Sequence, residues 1–170
     1  MTTEPTGAKR SAHFPDEYGT SGGPDALLPW SFVEERLREA INYWLATIGP
    51  NNRPHVRPVD GVWVENALIF GGSPETRWVR NLQRNPATTV SIGGTTEAVI
   101  LEGEAHLVTD PAHPLAEPSN RASFEKYPQY HPDGKLPEFL PFWLFRPTRI
   151  YAWTLAEFAT SATRWDLPKP

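Results

Sequence analysis

RPHVRPVDGVWVENALIFGG, residues 53–72, is the stretch whose reading decides the fold. Its valine-rich first half ends at Glu65-Asn66, and the apolar run ALIF follows at once. A two-residue polar link between apolar runs predicts a tight β-hairpin. Asp60-Gly61 reads either as a second turn or as a bulge within one long strand, and the sequence leaves both open. In His55-Val56-Arg57-Pro58-Val59 the odd positions share one face of a strand and the even positions the other. His55 and Arg57 therefore point the same way. Pro58 has no N–H to give to a neighbouring strand, which suits an edge or bulged position.

Upstream, Ser31 and Glu34 have the spacing of a capping box, and Val33, Leu37, Ala40 and Ile41 fall on one face, predicting a helix over 32–41. YWLATIG then reads as a strand, stopped by the turn cluster Gly49-Pro50-Asn51-Asn52. Downstream of Gly71-Gly72, Ser73 as N-cap and Pro74 at N1 predict a helix over 74–84, ended by Asn85-Pro86. TTVSI, a Gly93-Gly94 turn and EAVILEGEAHLV form another hairpin. Asp110-Pro111 opens a helix within 111–127 that Pro114 and Pro118 keep short or irregular. FWLF and RIYAWTL read as two more strands, and SATRWDL as a short last one.

Residues 1–28, rich in Gly, Pro, Ser and Thr, read as a flexible arm, mobile or loosely docked, ahead of a single domain over 29–170. The sum is a mainly β chain of six to seven strands with two or three short helices. Strands that follow one another through short hairpins close their edges as an antiparallel barrel. A doubly wound parallel sheet needs a helix after nearly every strand, which this sequence lacks.

Composition narrows the function classes. The 170 residues are 39% apolar with seven Trp, enough for a packed core. There is no cysteine, which excludes disulfides, thiol catalysis and Cys-ligated zinc and fits the cytoplasm. No run approaches the roughly 18 to 20 apolar residues of a membrane span, and the N-terminus has no secretory signal pattern. A net charge of -4 without a basic stripe argues against a nucleic-acid partner, including an oligonucleotide-binding barrel. His13, His55, His106, His113 and His131 lack ligand spacing, so no metal is expected. Glu102 and Glu104 read as a solvent face rather than a catalytic pair. No G-x-S-x-G occurs, so no protein nucleophile is expected.

The residues that carry chemistry cluster at GGSPETRW, 71–78. Gly71 and Gly72 let a ligand approach the backbone. Ser73, Thr76 and the free first-turn amides offer donors, and Arg77 adds a permanently charged fork. Together they make either a phosphate seat or a plain helix N-terminus with nothing bound. Arg57, between valines in a strand read as half-buried, needs a partner. That partner is either a bound anion or a carboxylate such as Glu75, Glu97 or Glu102.

RPHVRPVDGVWVENALIFGGSPETRWVRNLQRNPATTVSI resembles the pyridoxamine 5'-phosphate oxidase-like superfamily of flavin-binding split barrels. It is most similar to the branch of small flavin- and deazaflavin-dependent oxidoreductases found in actinobacteria. The matching pieces, in order, are Arg53-Pro54-His55-Val56-Arg57-Pro58-Val59, Thr76-Arg77-Trp78, Arg80-Asn81-Leu82 and Asn85-Pro86. The resemblance implies a split barrel that binds FMN or the deazaflavin F420 and transfers hydride to or from a small organic substrate. It implies that Arg57, Thr76 and Arg77 hold the cofactor phosphate. The ring then lies along His55, Arg57, Pro58 and Val59 and along Phe70, Gly71, Gly72 and Ser73. It implies a homodimer with the site between subunits, so that Trp153, Arg164 or Trp165 reaches in from the partner. Trp78 departs from the lysine of many relatives, either stacking on a ring or packing in the core. That loss of a cation, with twelve Arg against four Lys as in a high-GC actinobacterial genome, favours F420 slightly over FMN. The alternative is a carrier or sensor of a flavin, haem or lipid-like ligand on the same barrel, without turnover. Whether residues 111–141 cover the pocket is left open by the sequence.

Overall fold

The computed structural model of the chain describes residues 4–169; residues 1–3 of the arm lie outside the described residues. In chain order the elements are β1 (Ala8–Ser11), α1 (Trp30–Glu39), β2 (Tyr43–Ile48), β3 (Pro54–Val59), β4 (Val62–Val64), β5 (Ala67–Phe70), α2 (Arg77–Arg84), β6 (Ala87–Gly93), β7 (Glu97–Val108), α3 (Ala116–Lys126), β8 (Phe142–Thr154), α4 (Phe158–Ser161) and β9 (Thr163–Asp166). The protein is mainly β, with every strand pairing antiparallel.

The hairpin at Glu65-Asn66 forms as the sequence predicts. Both residues have positive φ (48° and 58°), as a type I′ turn needs, and Val64 pairs with Ala67. Asp60-Gly61 is a break rather than a bulge. β3 pairs with β2, whereas β4 turns away to pair with β5, and β5 reaches β8. The sheet β8-β7-β6-β2-β3 is thus rejoined to β8 through β4 and β5, which closes a split barrel. Glycine suits the corner, because a Cβ at Gly61 would stand 2.9 Å from the Ile69 carbonyl oxygen.

Among the described residues nine strands and four α-helices stand against the six to seven strands and two or three helices expected, and the differences have local causes. FWLF and RIYAWTL are one strand, β8. It runs through Pro147, which sits opposite Gly103 where β7 shifts register between Glu102 and Gly103. A bulge is where a strand tolerates proline. Within the arm, Ala8–Ser11 pairs with β9, Ala8 opposite Asp166. α1 starts at Trp30, with Pro29 as N-cap and no side-chain cap bond, so the Ser31/Glu34 capping box does not form. Glu34 is buried instead and bonds Arg38 at 3.0 Å. α3 begins only at Ala116, and the Asp110 carboxylate caps a separate preceding turn by accepting from the Ala112 amide.

Val33 and Leu37 of α1 plug one side of the barrel against Tyr43, Leu45, Phe70, Leu101, Phe145 and Trp165, in one continuous core. A second core under α3 joins Val62, Ile69, Leu115, Tyr127 and Phe142. No described helix is long and apolar enough to cross a membrane.

Candidate functional site

β3 has β2 on one side and no hydrogen-bonded neighbour on the other, so Pro58 does occupy an edge strand. The period of two puts His55, Arg57 and Val59 opposite Thr47, Leu45 and Tyr43 of β2. His55 is only 7% exposed and Val59 is buried, whereas Arg57 reaches solvent. The half-burial expected for Arg57 is therefore corrected, and of its two candidate partners the carboxylate is not present among the described residues. Its Nη1 donates to the Val56 carbonyl at 2.8 Å, and the candidate carboxylates are engaged elsewhere or lie at the surface. Glu97 pairs with Arg36 at 2.7 Å and Glu102 with Arg149 at 3.2 Å, while Glu75 is exposed.

The loop into α2 is built by Ser73. Its carbonyl accepts from both the amide (3.0 Å) and the hydroxyl (2.8 Å) of Thr76, and its hydroxyl accepts from the Glu75 amide at 3.2 Å. This turn holds 73–76 out of the helix, so α2 starts at Arg77 with Thr76 as N-cap, three residues later than the sequence predicts. Because the Thr76 hydroxyl is turned back to Ser73, the first turn of α2 has no side-chain cap. Its leading amides stay open to a ligand. Arg77 extends from this turn toward Gly49, where its Nη2 lies 3.3 Å from the position of a Cβ. Among the described residues Arg77 has no hydrogen bond or ion pair. It comes close enough to His55 to act on that ring together with Arg57. Burial, then Arg57, then Arg77 hold the imidazole pKa below its ordinary value, so the ring is neutral near pH 7.

Beside this cationic corner opens a cavity of about 490 Å³. Of the sequence-predicted residues, Val59, Gly71, Gly72, Ser73, Thr76 and Trp78 line it. His55, Arg57 and Arg77 form the separate cationic corner, reached along β3 and the start of α2. Pro58 faces outward opposite Trp44, and Phe70 is fully buried, so neither side chain reaches the cavity. The glycines have a nearer cause than ligand approach. A Cβ on Gly72 would lie 2.1 Å from Trp78 Cζ2, and one on Gly71 would lie 2.9 Å from Phe139 Cζ. Trp78 is 7% exposed, with its ring centroid 5.6 Å from that of Phe70 and 6.5 Å from that of Trp143. It is a core residue whose edge forms part of the cavity wall.

Sequence reasoning did not identify Ser123, Tyr127, Tyr130 and Phe139, which line the cavity from the segment 111–141. That segment does cover the pocket. The signal was present as aromatic residues set in a Pro-rich run, without a period to place them. Tyr127 anchors this cover: its one hydroxyl proton is shared between Gly61 O at 2.9 Å and Ile41 O at 2.8 Å, and its oxygen accepts from the Gly61 amide at 3.0 Å. Tyr130 donates to Asp60 at 2.7 Å.

The residues expected to reach into a partner are held within their own chain. Trp165 is buried 6.0 Å from Trp30, Arg164 bonds Asp166 at 2.9 Å, and Trp153 meets Phe14 and Phe158 edge-on.

The sequence matches the pyridoxamine 5'-phosphate oxidase family over residues 31–154. No curated protein matches it. Among solved structures, an F420 reductase is 23% identical with a TM-score of 0.51, over 69% of this chain and 94% of that one. A pyridoxamine 5'-phosphate oxidase-related, FMN-binding protein of Nostoc punctiforme is 20% identical with a TM-score of 0.52, over 76% and 85%. The haem storage protein of Vibrio cholerae is 20% identical with a TM-score of 0.53, over 68% and 86%. At these identities the likeness is one of fold.

Proposed function

The chain belongs to the pyridoxamine 5'-phosphate oxidase family, and from that premise we propose that it binds a flavin-type cofactor and transfers hydride between it and a small organic substrate. The observation that carries this reading is a juxtaposition. An exposed pair of arginines without a carboxylate, Arg57 and Arg77, stands beside an aromatic cavity of about 490 Å³, and β3 and the start of α2 contribute to both. A phosphorylated ligand with a flat apolar ring asks for these two environments side by side.

FMN and F420 both meet that description. Trp78 in place of lysine leaves the two arginines as the seat's permanent cations and favours F420 slightly. The cofactor, when bound, supplies the hydride chemistry, and the chain supplies position and electrostatics. Arg57 and Arg77 hold the phosphate, the open amides of α2 add donors, and Val59 and Gly71 to Ser73 bed the ring. Tyr127, Tyr130 and Phe139 keep water from its exposed side. No side chain need form a covalent bond. The apolar outer face of β2 and β3, with Trp44 50% and Val56 44% exposed, supports a homodimer.

Absorbance and mass of whatever co-purifies, followed by titration of FMN and F420 against Trp fluorescence, test the reading. Absence of micromolar binding to either sinks it. The haem-storing neighbour favours a second reading, a carrier on the same barrel. Steady-state assays of reduced cofactor with quinones and enones separate the two, since a carrier shows no turnover.

A further inference from the structure

His55 is a buried side chain that hydride transfer does not use. Only 7% of it is exposed, yet neither ring nitrogen has a hydrogen-bond partner among the described residues. Its backbone carbonyl is satisfied by the Thr47 hydroxyl at 3.3 Å, so the strand itself asks nothing of the ring. The charged groups acting on it are Arg57 from its own strand and Arg77 from α2. β2 faces it with Thr47, and α2 adds Asn81, which donates to the Thr47 hydroxyl at 3.0 Å; both are uncharged. The ring nitrogens keep contact with solvent, and an imidazole flanked by two cations and no carboxylate takes up a proton less readily than a free one. An anion arriving beside the three groups reverses that preference.

We propose that His55 completes a three-donor anion seat with Arg57 and Arg77, and that it takes up a proton when a phosphoryl group occupies the seat. The inference rests on the proposed function only for the place of the phosphate. The empty seat holds two positive charges, and a third is disfavoured by burial and by both guanidiniums. An incoming phosphoryl group reverses the field at the ring, and a protonated imidazole then donates a charge-assisted hydrogen bond to it. The proton comes from solvent and returns there on release. Binding therefore strengthens as pH falls from the imidazole midpoint of the occupied seat to that of the empty one, tenfold for each pH unit separating the two midpoints.

The test follows the five histidine ring signals by NMR across pH, with the His55 signal assigned from its loss in His55→Gln. Spectra are taken for the parent alone, with inorganic phosphate, with FMN and with F420. The expected result is a His55 midpoint that rises by about one pH unit or more with inorganic phosphate. Arg57→Ala alone should also raise that midpoint in the free protein, because it removes a repelling cation. A His55 signal unmoved by saturating phosphate, or a seat that takes no phosphate, overturns the inference. Cofactor binding that leaves His55 unmoved overturns it too, while leaving the cofactor reading intact. A shift with phosphate in a protein that binds neither FMN nor F420 supports the seat and removes the cofactor.

Discussion

Replacing Arg57 or Arg77 by alanine takes one permanent cation from a corner in which no carboxylate acts on His55. Each replacement should weaken FMN or F420 binding by about 1.5–3 kcal/mol, the worth of one charge-assisted bond to a phosphate. Arg84→Ala should leave affinity unchanged, since Arg84 closes the last turn of α2. Titration by Trp fluorescence reads all three, and parent-like affinity in both Arg57→Ala and Arg77→Ala would show the seat to be misplaced. At this scale the alternation of β3 was legible, because a period of two depends on nothing outside the strand. The fate of Arg57 was not. Which carboxylates remain for it depends on Arg36, 61 residues from Glu97, and on Arg149, 47 residues from Glu102. Trp78 shows the same limit. Its place on the helix could be read, but whether it met a ligand or Phe70 and Trp143 was fixed by strands distant in the chain.

Among the elements, α3 and the Asp60-Gly61 corner act as one unit. Lys126 Nζ donates to Tyr43 Oη and to Gly61 O, both at 2.9 Å, next to the Tyr127 bonds to the same glycine. Burial pushes the Lys126 ammonium pKa down to about 8, and Asp60 opposes this in part. An unfolded lysine keeps its proton to about pH 10.4, so between about pH 8 and 10 the unfolded chain binds more protons than the folded one. Stability contributed at this group therefore rises with pH across that window. Burial raises the Tyr43 phenol well above its ordinary value, so its opposing effect begins only above about pH 10. The urea midpoint of the parent should climb from about pH 8 to about pH 9.5 relative to Lys126→Met, which lacks the titrating group. A parallel pH course in the two proteins would show that Lys126 is not the cause. The sequence located this helix but not its start, since the Asp110 cap serves a separate turn ahead of it. It divided β8 in two because Pro147 reads as a breaker unless the bulge opposite it is known.

For the whole molecule, the order of hairpins made the barrel legible, while its closure through a two-residue corner and its exposed face needed three dimensions. That face is the outer side of β2 and β3, where Trp44 stands opposite Pro58, Ala46 opposite Val56 and Ile48 opposite Pro54. Trp44 and Ile48 of β2 and Val56 of the neighbouring edge strand β3 are all exposed. Edge strands left open in this way invite pairing, and natural proteins usually guard them with charge. Arg53 and Arg57 flank this edge, but the outward row itself carries none. A second copy seated there would bury the row, and stable interfaces of this kind remove about 800 Å² from each partner. The parent should sediment as a dimer at micromolar concentration, and Trp44→Glu with Val56→Glu should sediment as a folded monomer. Both substitutions lie on the outward face, away from the core, so circular dichroism should match the parent. If the cofactor site draws on the partner, the monomeric variant also loses cofactor affinity although Arg57, Arg77 and the cavity are untouched. A monomer that binds as tightly as the parent would place the whole site within one chain, where Tyr127, Tyr130 and Phe139 line the cavity.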